Sequence, residues 1–87
     1  SPVVELNRAV AIAMADGPEA GLARLDDLVA SGALADYHLL PAARADLLRR
    51  LGRTEQAAMA YREALTLARL EPEREFLARR LAEIEAG

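Results

Sequence analysis

Two stretches of the chain echo one another at a shift of 36 residues. Arg8-Ala9 falls on Arg44-Ala45, Ile12 on Leu48, Asp16 on Gly52, Pro18-Glu19 on Thr54-Glu55, Gly21 on Ala57, Leu25 on Tyr61 and Leu28 on Ala64. Identical pairs are few, but a break, a small residue and a large residue recur in the same order. Repeats of this length are supersecondary units that cannot bury an apolar face alone, so the core must form where neighbouring units stack.

The composition says what the units are made of. Ala and Leu, the two best helix formers, contribute 20 and 15 of the 87 residues, against four Val and two Ile. The expected fold class is therefore all-α. Cysteine is absent and histidine occurs once, which leaves no thiolate nucleophile, no Cys-ligated zinc and no multi-histidine metal site. The net charge is −3 and every basic residue is Arg. Nucleic-acid binders usually carry a basic excess that displaces counterions from phosphates, so direct nucleic-acid contact is not expected. No apolar run approaches the ~18 residues of a membrane span, and no signal peptide opens the chain. The expected location is cytoplasmic, with no membrane, metal or cofactor involved.

Gly and Pro divide the chain into five helical segments, at about 2–15, 18–31, 37–51, 54–70 and 73–85. The first carries Leu6, Val10, Ala13 and Met14 at helical spacing, and the second Leu22, Leu25, Leu28 and Val29. Asp36 is the expected N-cap of the third, whose stripe is Leu40, Ala43, Leu47 and Leu51, with Pro41 tolerable only near its first turn. Thr54 is the expected cap of the fourth, which buries Ala57, Ala60, Tyr61, Ala64, Leu65 and Ala68. Pro72 separates it from a fifth helix with Phe76, Leu77, Leu81 and Ile84 on one face. Short joints imply antiparallel neighbours.

The stretch from Leu51-Gly52 through Ala57, Tyr61 and Ala64-Leu65 resembles a tetratricopeptide repeat (TPR). Gly52 would permit the tight turn, Ala57 and Ala64 close helix approach, and Tyr61 would fill the wedge between pairs. Pro41 stands where such repeats favour Trp. The resemblance implies antiparallel pairs stacked as a fragment of a right-handed solenoid, with a closing C-terminal helix. Fewer than three repeats is marginal for a free-standing solenoid, so the single domain 1–87 is expected to be the C-terminal fragment of a longer protein.

Two further stretches, Ser1-Pro-Val-Val-Glu-Leu-Asn-Arg-Ala-Val-Ala and Tyr37 through Arg53, together with Glu73 to Leu81, resemble the C-terminal extension of one subgroup of bacterial extracytoplasmic-function (ECF) sigma factors. The resemblance runs along the whole chain in the same segment order. It implies a regulatory, non-enzymatic domain of a transcription initiation factor. Its implied partners are the upstream sigma domains, the RNA polymerase core or a regulatory protein. A peptide-binding TPR adaptor unrelated to transcription is the alternative reading.

If two helix pairs stack in this way, the first helix of each lines a concave face. The candidate groove residues are Leu6, Asn7, Arg8, Val10 and Met14 from one helix, and Leu39, Ala42, Arg44, Asp46 and Arg49 from the other. An apolar groove with charge at one side suits an extended or helical peptide, or a second copy of the chain. Arg8 and Arg44, one period apart, read more readily as structural bridges than as partner-binding groups. A capping or packing role suits His38. Asp26-Asp27 and the Glu71/Glu73/Glu75 run lack the convergence on one pocket that acid–base catalysis needs. No phosphate loop, nucleophile elbow or metal motif occurs, and no enzyme activity is expected.

Overall fold

A computed structural model describes all residues 1–87. Five α-helices and no strands make up the fold: α1 (Pro2–Asp16), α2 (Pro18–Ser31), α3 (Leu39–Arg50), α4 (Thr54–Leu67) and α5 (Glu71–Ala86). α1 packs along α2 and α3 along α4, α2 bridges to α3, and α5 lies on α4. No helix is long and apolar enough to cross a membrane.

Local chemistry sets the joints. Gly17, at φ 101°, is the single residue between α1 and α2, and it turns the chain back on itself before Pro18 restarts the helix. Gly52 ends α3 in the left-handed conformation at φ 75°. Its N–H donates to the Arg49 carbonyl at 3.0 Å, and the Arg53 N–H reaches back to the Leu48 carbonyl at 2.9 Å. That pair of bonds is the Schellman motif, and it satisfies carbonyls the helix end would otherwise leave open.

The boundaries and caps depart from expectation in four places. α3 starts at Leu39, not Tyr37, and Asp36 lies exposed in the preceding turn without capping the helix. Pro41, buried as the third helical residue, could not have supplied the N–H that would bond to Tyr37; the Tyr37 carbonyl accepts from the Leu40 N–H instead, at 3.1 Å. Thr54 is the first residue of α4, not its cap, and its hydroxyl donates to the Gly52 carbonyl. α4 stops at Leu67, three residues early. There the Arg74 guanidinium donates to the carbonyls of Leu65 and Ala68, at 2.5 and 3.1 Å, and takes the place of a continuing turn. Pro72 sits in the first turn of α5, so that helix begins two residues earlier than expected.

The core is built from small residues against a few large ones. Tyr61, Leu25 and Leu48 are its largest fully buried side chains, surrounded by Ala9, Ala45, Ala57, Ala60 and Ala64. All expected core positions of α4 are buried apart from Leu65, which is half-buried. Four apolar residues on the expected stripes do not pack: Met14 is 78% exposed, Val29 49%, Phe76 47% and Val10 38%. Side chains also tie the helices across the joints. Arg44 Nε donates to Asp26 Oδ1 at 2.9 Å, joining α3 to α2. Arg53 Nη2 reaches both carboxylate oxygens of Glu19 at 3.1 and 2.9 Å, joining the α3–α4 turn to the start of α2.

Candidate interaction groove

α1 and α3 do not touch closely along their length, because α2 carries most of the contact with α3. The space left between them is an open cleft of about 350 Å³. Leu6, Val10 and Met14 form its α1 wall, with Asn7 on the rim; Leu39, Ala42 and Leu47 face them from α3. Leu6 and Leu47 are buried and make the floor, whereas Val10, Met14 and Leu39 are exposed. A second cleft of about 340 Å³ lies between the start of α3 and α5, lined by His38, Leu39, Ala42, Pro72, Glu73, Phe76 and Leu77. Leu39 and Ala42 line both, so the two clefts adjoin at α3 as a two-part apolar channel.

Charge along this channel is internally compensated. The Asp46 carboxylate accepts from Arg49 Nη2 at 2.6 Å through Oδ1 and from Arg50 Nη2 at 3.0 Å through Oδ2. The Arg49 guanidinium is held above its ordinary basicity chiefly because it donates to Asp46, with the nearby Tyr61 hydroxyl adding to this against the cost of burial. At the far end, His38 Nε2 meets Glu73 Oε2 at 2.8 Å, and the Tyr37 ring packs edge-on against the imidazole. His38 thus links α3 to α5 instead of capping. Such a surface attracts by apolar burial, since its charges are already engaged.

Seven of the ten residues expected to form the groove line the α1–α3 cleft: Leu6, Asn7, Val10, Met14, Leu39, Ala42 and Asp46. Arg8, Arg44 and Arg49 do not. Arg8 points to the other side of α1, where Nη1 meets Glu5 Oε1 at 3.2 Å. Arg44 is drawn to Asp26 and lines a separate cleft of about 180 Å³ between α2 and α3. Arg49 sits beside the floor and holds Asp46 in place. Ala13, Ala43, Leu47 and Arg50 complete the lining. Arg50 has a visible signal, its four-residue spacing from Asp46; the contribution of α5 through Phe76 has none, because it depends on where the chain returns.

Nothing in the groove resembles a reaction centre. No three His, Asp or Glu side chains gather as potential metal ligands anywhere in the fold, and Asp46 is bound to two guanidinium groups.

No protein-family model matches the chain, and no solved structure matches it. The chain is similar to an uncharacterized protein of Rhizobium meliloti (strain 1021), 44% identical over 68 residues that make up 78% of this chain. Those residues are 16% of that protein, so the chain spans a small part of its relative's length.

Proposed function

We propose that this domain is a non-enzymatic contact module, a TPR-like stack of helix pairs closed by α5, which serves as the C-terminal regulatory extension of an ECF-type sigma factor. The carrying observation is the pair of adjoining apolar clefts along α1, α3 and α5, whose titratable lining groups are already paired. Such a channel binds protein; it offers no nucleophile, metal ligand set or phosphate cradle. The transcription assignment is supported by the sequence resemblance along the whole chain. The similarity to a short stretch of a much longer bacterial protein accords with a domain that works inside a larger polypeptide.

On this reading the channel contacts the upstream sigma domains, the polymerase core or a regulator in the cytoplasm, and the domain itself does not touch DNA. The test is run-off transcription from a cognate promoter, with core polymerase and either the complete sigma polypeptide or a version lacking residues 1–87. A severalfold change in transcript on deletion is expected. Equal transcript from both would remove the regulatory role.

A further inference from the structure

The helices α1 and α3 are equivalent by sequence, yet they are not equally covered. α1 and α3 hold the same place in the two helix pairs, so residues 36 apart stand at equivalent positions on their helices. On α3, the face formed by Leu40, Ala43, Arg44, Leu47 and Leu51 is wholly or partly buried, because α2 lies on it. The matching face of α1 is Val4, Asn7, Arg8, Ala11 and Ala15, and every one of these is exposed. The opposite faces agree: Ala9 and Ala45 are both buried, against α2 and α4 respectively.

We infer that the Val4–Ala11–Ala15 face of α1 is a stacking surface for a further helix of the same kind as α2, contributed by the same, longer polypeptide. Three features fix the chemistry of that helix. It must present a leucine-type ridge, since Val4, Ala11 and Ala15 are small and uncharged and leave room for large partners. It must approach closely over Ala11 and Ala15, which lack the bulk to hold it off. It must carry a carboxylate where Asp26 stands on α2, because Arg8 occupies the place of Arg44, whose bond to Asp26 ties α3 to α2. Arg8 currently holds only Glu5 of its own helix, an exposed pair.

A second copy of the chain does not meet these requirements. The only α2-type faces it possesses are already used, that of α2 by α3 and that of α4 by α5. Its closing helix turns Glu75, Ala78, Arg79 and Ala82 outward, all exposed, and so offers no leucine ridge. The source in the same polypeptide follows the relative, of which the similar stretch is only 16%. The stacking face adjoins the groove along Asn7, and Val10 and Met14 line the groove from the adjacent side of α1. The inference stands independently of any role in transcription.

Cysteine is absent from residues 1–87, and any cysteine elsewhere in the full gene product is first replaced by serine, so that each label reports one position. Single-cysteine variants Ala11→Cys and Met59→Cys are made both in the full natural gene product and in the 1–87 chain, and maleimide labelling rates are compared. Met59, exposed on α4, reports open surface. In the full product Cys at 11 is expected to label at least tenfold more slowly than Cys at 59, whereas in the 1–87 chain the two rates agree. Adding Arg8→Glu to the full product is expected to restore most of the lost rate at position 11. Equal rates in the full product would overturn the inference. Protection in the 1–87 chain that grows with concentration would overturn it in favour of self-association.

Discussion

Gly21 faces Ala13 so closely that a Cβ on residue 21 would lie 2.5 Å from the Ala13 Cβ and 2.8 Å from the Ala9 carbonyl oxygen. The contact sets the distance between α1 and α2, and through it the position of the α1 wall of the groove. In an isolated helix Gly21→Ala would gain about 1 kcal/mol of helix propensity. Here the neighbours include the Ala9 carbonyl oxygen and Ala13 Cα, backbone atoms that cannot swing aside, and overpacking costs about 1–3 kcal/mol or more. Gly21→Ala is expected to lower the urea midpoint, and Gly21→Val to lower it further. A raised midpoint for Gly21→Ala would show that α1 and α2 can separate freely.

The corresponding position in the second pair, Ala57, admits a methyl group, and the large residue four positions on differs accordingly. Tyr61 and Leu25 are both fully buried, at 1% and 0% exposure. Truncating Leu25 to Ala should cost about 2–5 kcal/mol, and Tyr61→Ala a similar or larger amount, because neither site can collapse against neighbours that are already alanines. Urea unfolding followed by circular dichroism reads both, with unchanged slope if the transition stays two-state.

Arg44 and Arg8, though one repeat apart, should behave differently in the 1–87 chain. Arg44 bridges two helices through Asp26 from a largely covered position, whereas Arg8 makes an exposed pair three residues away on one helix. Arg44→Ala is expected to destabilise by about 1 kcal/mol, and Arg8→Ala by no more than about 0.5 kcal/mol. A double-mutant cycle with Asp26→Ala should find most of the Arg44 effect in that pair.

α5 is the element held most lightly. Leu77 is its one fully buried side chain; Leu81 and Ile84 pack partly buried against the core, and Arg74 on the end of α4, the His38–Glu73 pair and the Arg62–Glu85 pair add polar anchors. Amide exchange should therefore be fastest in α5 among the helices. Arg74→Ala, which leaves two α4 carbonyls without their charged donor, should speed exchange in α5 and the last turn of α4 while leaving α1 and α2 unchanged.

The parts of this architecture that were legible in the sequence are those set by local chemistry. Gly32 and Gly52 stop their helices as glycines in the left-handed conformation do, and the alanine-and-tyrosine stripe of α4 reads directly as a buried face. The end of α4 was not legible. Thr66 to Leu70 contains no breaker, and the helix stops because Arg74 returns from α5 to take its carbonyls. The exposure of Val10, Met14, Val29 and Phe76 has the same origin. Periodicity marks apolar positions, but only the packing decides which of two apolar sides receives a neighbour. For the groove, helical spacing placed seven of the expected residues, whereas Arg8, Arg44 and Arg49 were carried elsewhere by Glu5, Asp26 and Asp46.

The central claim is that the channel along α1, α3 and α5 is the surface through which the domain acts. Val10 and Leu39 stand exposed on its two walls, so replacing both with Asp should leave the helical content and urea midpoint nearly unchanged, as exposed substitutions generally do. On the proposed function, the decisive measurement is run-off transcription with the complete polypeptide carrying Val10→Asp and Leu39→Asp. The account predicts the same change in transcript as removal of residues 1–87. Transcript indistinguishable from the unsubstituted protein, with the domain folded and the deletion still effective, would contradict it.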